Sequence, residues 1–349
     1  MNRIVPLILA LAVALGCAAF PPDPDRAAES LAGVRKAAAQ GDAEALFKLG
    51  MLYDRGYDSI LPDTARANEY YARAAAGGYA PAMGLLGFRL IRGEGIAADS
   101  ARGVEMLRRG ADMGDARALN NLGWWLTFRP GASAAERGEG LRCLRRAADA
   151  GHPVALASLG RAEEEGISGR PNPGRAAELY DSALSRGFSQ AAAPLWRLRQ
   201  ESFAALQPDS ALRLGRAYYL GAAPELGVAL LEIAAGKGSA DAMALLGDAA
   251  AKARGRAYNH TDAVRFYYLA ARAGCAPAQF ILAELLESFP DALDDIVDND
   301  AAPASYDTTA DAAPVPHADA SYWRYRARIG GVVSAAEAEK LLYNGRTPR

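Results

Sequence analysis

One spacing constrains this chain more than any other feature. Gly50, Gly87, Gly123 and Gly160 stand 37, 36 and 37 positions apart, each inside an Ala/Leu-rich segment: Ala45 to Leu49 before Gly50, Ala82 to Leu86 before Gly87, Ala118 to Leu122 before Gly123, and Ala155 to Leu159 before Gly160. Later copies place Trp196, Gly215, Gly247 and Ala283 at the same point. A second pattern lies between these segments: Glu69-Tyr70-Tyr71, Glu105-Met106-Leu107, Arg142-Cys143-Leu144, Glu178-Leu179-Tyr180, Ala229-Leu230-Leu231 and Arg265 to Tyr268. Two amphipathic segments per period of this length mean two helices per repeat. Glycine inside a helix costs about 1 kcal/mol relative to alanine, so its return at one register position implies a contact that tolerates no side chain. Leu and Tyr are then the fillers between helices.

Local punctuation agrees. Gly77, Gly114, Gly151, Gly187, Gly238 and Gly274 fall where a helix must stop in a left-handed turn before the next pair. Asp63 and Asp99 are placed to cap second helices, and Ser334 with Glu337 forms a capping-box pattern ahead of a last helix through Leu342. The 349 residues are 51% hydrophobic with a net charge of -2, enough apolar material for a sizeable core and no basic excess to suggest a nucleic-acid partner.

The run Leu-Gly-x-x-Tyr-x-x-Gly, a short loop with Asp, Ala-x-x-aromatic-Tyr, and Ala-Ala-x-x-Gly-x-x-x-Ala closely resembles the Sel-one-like repeat, a relative of the tetratricopeptide repeat. The resemblance covers residues 28–330 and implies an all-α, right-handed superhelical solenoid of about seven to eight helix-turn-helix repeats. Two departures stand out. Trp196 and Gly215 are only 19 positions apart, so a truncated unit is expected near 189–210. The stretch 290–317 is an Ala/Pro/Asp-rich insertion without Lys or Arg, expected to be a disordered loop. Residues 331–349 are the expected capping helix and tail.

The N-terminus reads as an address. Residues 1–16 carry Arg3, then an apolar run of about a dozen residues, short of the roughly 20 that a spanning helix needs, so they form a signal peptide. Ala14-Leu15-Gly16-Cys17 resembles a bacterial lipobox, which implies lipidation at Cys17; ordinary cleavage or an unmodified Cys17 is the alternative. The proline-rich residues 17–27 are then a tether, and the expected location is the bacterial cell envelope, beside a membrane in the periplasm or outer membrane.

The resemblance implies a protein-binding scaffold whose contact surface lies on the first helix of each repeat, at positions three before and one, four and five after the recurring glycine. These include Phe47, Met51, Asp54, Phe88, Arg92, Asn120, Trp124, Thr127, Phe128 and Arg161, and farther on Tyr219, Asp248 and Lys252. Phe47, Met51, Phe88, Arg92, Asn120, Trp124, Phe128 and Arg161 are the expected partner-binding residues for a protein or peptide, since aromatic, Met and Arg side chains are enriched at tight interfaces. The competing reading of the rings is packing between neighbouring first helices. A structural role in envelope or cell-wall assembly is the alternative function.

Catalysis has little support. His152, His260 and His317 share no metal-ligand spacing, Glu163 to Glu165 reads as a solvated helix end, and no nucleophile elbow or phosphate-cradling glycine loop occurs. Asp298-Asn299-Asp300 lacks the turn glycine and closing glutamate of a calcium loop. Cysteine-rich members of the resembled family bind or hydrolyse β-lactams, but Cys143 and Cys275 stand apart and read as buried packing residues. No enzyme activity, cofactor or metal is expected.

Overall fold

The structure is a computed structural model that describes residues 31–57, 60–167, 169–289, 291–293 and 319–344. The signal-peptide and tether readings with Cys17, and residues 294–318 of the acidic insertion, lie outside the described residues. The chain divides into two compact units at Leu179 and Tyr180.

Unit 1 begins with α1 (Leu31–Ala39) and then alternates first and second helices: α2 (Ala43–Arg55) with α3 (Thr64–Ala76), α4 (Ala80–Arg92) with α5 (Ser100–Asp112), α6 (Ala116–Phe128) with α7 (Ala134–Asp149), and α8 (Pro153–Glu164). Each named pair packs along its length, and each second helix also packs on the next first helix. First helices touch one another too, α4 on α6 and α6 on α8, so the repeats stack as a solenoid does. The division between units falls within α9 (Pro173–Ser185).

Unit 2 holds a short 3-10 turn (Ser189–Ala191) and the single helix α10 (Ala192–Ala204) where the spacing is compressed. Three pairs follow: α11 (Pro208–Leu220) with α12 (Pro224–Gly236), α13 (Ala240–Ala251) with α14 (His260–Arg272), and α15 (Ala276–Ser288) with α16 (Ala320–Ile329). The last helix, α17 (Ala335–Asn344), packs on α15 and α13. Among the described residues no strand forms; the nearest thing to one is the bridge between Tyr57 and Ile60.

The recurring glycine does what its register demands, and it has a partner that the spacing did not reveal. A Cβ on Gly87 would sit 2.9 Å from the carbonyl oxygen of Gly103, and one on Gly103 would sit 2.6 Å from that of Gly87. Gly123 and Gly140 oppose each other in the same way, as do Gly215 and Gly227. Where the second helix carries Tyr instead, at Tyr71 and Tyr267, the ring itself covers Gly50 and Gly247 and the residue four earlier is alanine, Ala67 or Ala263. The helix pairs therefore meet backbone to backbone or backbone to ring. Each buried Leu or Tyr beside these contacts contributes about 1.5–3 kcal/mol by leaving water.

Asp63 and Asp99 accept hydrogen bonds from the backbone N–H groups of Arg66 at 2.9 Å and Arg102 at 3.0 Å, as expected of caps. One turn glycine needs correction. The left-handed residue after α3 is Gly78, φ +85°, whereas Gly77 has φ -74° and closes the helix against Ala43. The turn uses two glycines, and the second supplies the conformation that L residues avoid.

Candidate functional site

In unit 1 the expected contact residues fall on the first helices α2, α4, α6 and α8, and packing sorts them. Phe47 is half-buried and lies between two rings, 5.3 Å from Tyr71 and 5.2 Å from Tyr79 centroid to centroid, so it belongs to the core between repeats. Met51 packs on the same cluster from its edge. Asn120 is 6% exposed, and its amide donates to Asn121, which in turn holds the carbonyl of Gly84. Asn120 therefore lies beneath the surface. Thr127 is 1% exposed against Gly140 of the paired helix and leaves the contact set altogether. A threonine four residues beyond the glycine turns toward its own second helix, whereas the residue five beyond stays outside.

Asp54 is likewise spoken for. Its carboxylate accepts from Arg89 at 2.6 Å, and Arg89, 7% exposed, also donates to Asn68 at 2.9 Å while its guanidinium stacks over Tyr71. Asn68 completes the network by donating to the carbonyl of Glu94 at 2.8 Å. Arg89 was not singled out by sequence, because it stands two residues after Gly87, between the wall positions. The network ties repeat one to repeat two.

What remains at the surface is a cluster on α4, α6 and α8. Trp124 and Phe128, one turn apart on α6, are half-buried with ring centroids 6.1 Å apart. The Arg161 guanidinium of α8 lies 4.5 Å over the Phe128 ring and is held there by Glu165 at 2.6 Å. On α4, Arg92 covers Phe88 and pairs with Glu94. Cation–π stacking of this kind contributes about 0.5–1 kcal/mol at exposed sites and presents a flat, partly apolar surface with a charged rim. Such a surface can bind another polypeptide; it offers no nucleophile or acid–base pair.

Outside this cluster, burial shifts several titratable groups among the described residues. A groove of about 490 Å³ between α5 and α7 is lined by Arg108, Arg142, Arg146 and Cys143, but burial pushes the Cys143 thiol up, away from the reactive thiolate. Burial, helped by Arg117, pushes the His152 imidazole down to about 4. No group of three or more His, Cys, Asp or Glu among the described residues could hold a metal ion, and no described helix is long and apolar enough to cross a membrane.

In unit 2 Tyr219 and Asp248, two of the corresponding positions, are covered, while Lys252 stays exposed. Tyr219 is fully buried and Asp248 is 4% exposed; Tyr219 donates to Asp248 at 2.6 Å, Lys252 pairs with it at 2.9 Å, and Tyr343 of α17 donates to it at 3.0 Å. Sequence placed a covering helix here but not its polar attachment.

The family model of the Sel1 repeat matches residues 43–79, 80–115, 116–152, 153–188, 208–239 and 240–275. No curated protein matches the chain. Among solved structures, a protective antigen present in uropathogenic Escherichia coli strains, displaying an SLR fold, is 22% identical, with 90% of this chain and 70% of that one covered and a TM-score of 0.41. A Sel1 repeat protein from Oxalobacter formigenes is 24% identical over 68% of this chain and 90% of that one, TM-score 0.42. An immunity protein from Pseudomonas aeruginosa is 18% identical over 59% and 68%, TM-score 0.34.

Proposed function

The chain belongs to the Sel1 repeat family, whose members are generally non-enzymatic scaffolds for protein partners, and from that premise we propose that unit 1 binds a protein or peptide on its first-helix face. One observation carries the reading: Trp124 and Phe128 on α6 stay half-exposed, with Arg161 over the Phe128 ring, while Tyr71 on the second helix α3, the ring that covers Gly50, is fully buried. Rings that the core does not need and that are already held in place lose little entropy on binding. The contact set is Phe88, Arg92, Trp124, Phe128 and Arg161.

The envelope location is part of the same proposal. Its support is the sequence of residues 1–17, with its cation, apolar run and Cys17. A lipid on Cys17 would keep the binding face near a membrane, where an assembly scaffold would work.

The test is crosslinking in living cells from a photoreactive residue at position 124, with position 70 as the control, because Tyr70 is stacked on Tyr53 at 5.4 Å. A discrete adduct from position 124 alone is expected. Equal adducts from both positions, or none from a folded protein, would discard the unit 1 face. Globomycin-sensitive processing and membrane fractionation test Cys17 separately.

A further inference from the structure

The positions one and five after the recurring glycine form an open cluster in unit 1, but in unit 2 the residues there, joined by one four after Gly215, form a seat for a helix. Asp248 follows Gly247, Lys252 caps the C-terminal end of α13 four residues later, and Tyr219 comes from α11. A buried carboxylate is costly unless paired and hydrogen-bonded. Here Tyr219 and Lys252 supply both functions from within the repeats. Arg254 locks Tyr219 from behind, stacking over its ring and donating to its carbonyl at 2.8 Å. The acceptor is thus built before α17 arrives.

α17 adds the rest from 95 positions away. The Tyr343 hydroxyl donates to Asp248 at 3.0 Å and receives Lys252, and Glu339, one turn earlier, lies 3.8 Å from the Lys252 ammonium. Ala338 and Leu342 are buried beneath, at 1% and 2% exposure, while Ala335, Ala336, Glu337, Glu339 and Lys340 face solvent. A helix of 10 residues is well below the roughly 12–15 at which isolated helices become even marginal in water, so α17 holds its form only while seated. Elements with so few buried contacts open at low cost.

We propose that Tyr219, Asp248 and Lys252 form a helix-recognition site which α17 occupies in cis, and which a partner helix displaying Glu and Tyr four residues apart, with Leu before the Tyr, takes in trans by displacing α17. This is recognition of an amphipathic helix by its apolar anchor and two polar contacts. It concerns unit 2 and does not rest on the unit 1 reading.

The probe is a fluorescent synthetic peptide of residues 332–344, titrated into the full chain by anisotropy. Leu342→Ala loosens α17 and leaves the seat intact, so the fraction of open seats rises and the peptide binds at least 10-fold more tightly than to wild type. Adding Asp248→Asn to that variant, or replacing the peptide's tyrosine by phenylalanine, weakens binding at least 10-fold. Trp124→Ala leaves it unchanged, which separates this site from unit 1. Should Leu342→Ala fail to fold, Tyr343→Phe serves, since the ring remains. Three results would each overturn the proposal: no gain in a variant whose helicity is native, binding indifferent to Asp248→Asn, or loss with Trp124→Ala. Self-association of the full chain that the peptide does not dissolve would also overturn it, assigning the seat to a second copy.

Discussion

At the scale of single residues, the opposed glycines show how a close contact is set by what is missing. A Cβ on Gly123 would meet the Gly140 carbonyl at 2.8 Å and the Leu144 backbone nitrogen at 2.9 Å, atoms that cannot yield without moving α7. Gly123→Ala should therefore destabilise by about 1–3 kcal/mol, the usual cost of overpacking. Gly138, also in α7, has only the end of the Arg142 side chain within reach at 3.8 Å, and Gly138→Ala should stabilise by about 0.5–1 kcal/mol through helix propensity. Urea midpoints of the two variants, shifting in opposite directions, check the argument; a shared direction would refute it. His152 gives a pH dependence. Its Nδ1 is buried without a partner, and its pKa falls from 6.5 to about 4 on folding. The unfolded chain thus takes up the proton first as pH drops. The stability it protects is fully present above pH 6.5 and is lost toward pH 4, to a limit of about 3 kcal/mol. Wild type should lose that much more than His152→Gln between pH 7 and 4, and parallel stability curves would count against it.

At the scale of elements, the caps were legible and the attachments were not. Asp63, Asp99 and Ser334 stand immediately before helix-forming runs, and each accepts the expected backbone N–H, Ser334 from Glu337 at 3.3 Å. These contacts are three residues long, so sequence order displays them. The complete capping box in fact lies at Ser133 and Glu136, where hydrogen bonds from the Ser133 backbone and hydroxyl, with Arg129, hold the Glu136 carboxyl down to about 2. The stability this ionised form adds is fully present above pH 4.5 and is lost as pH falls from there through about 2. Ser133→Ala should cost about 1 kcal/mol in thermal or urea unfolding at neutral pH. An unchanged midpoint would mean that α7 is held by packing alone. The Arg89–Asp54 pair and the Tyr219–Asp248–Tyr343 set are different: they join residues 35, 29 and 95 positions apart, and none of those residues is unusual on its own helix. Periodicity predicts which face a residue shares with its neighbours along one helix. It carries no information about which polar groups a later helix will bring to that face.

At the scale of the whole molecule, a chain built by repetition should distribute stability by adjacency. Within unit 1, α4 and α6 pack directly and the α4–α5 and α6–α7 pairs share α5 as a neighbour, so changes at Gly87 and Gly123 act on touching repeats. Gly50 acts through Tyr71 in the first repeat, with the second repeat standing between it and Gly123. Stability in such arrays is close to a sum of repeat terms and nearest-neighbour interface terms. Alanine at Gly50 and Gly123 together should therefore cost the sum of the single changes to within about 0.5 kcal/mol. Alanine at Gly87 and Gly123 should depart from the sum by more than that, because α4 displaced from α5 no longer offers α6 the same surface. Two double-mutant cycles in urea measure both quantities. Equal coupling in the two cycles would mean that unit 1 transmits strain as a single core, and a contact at Trp124 would then be felt as far as α2; coupling confined to adjacent repeats means that the unit 1 face can change its contact residues one repeat at a time without disturbing the rest of the stack.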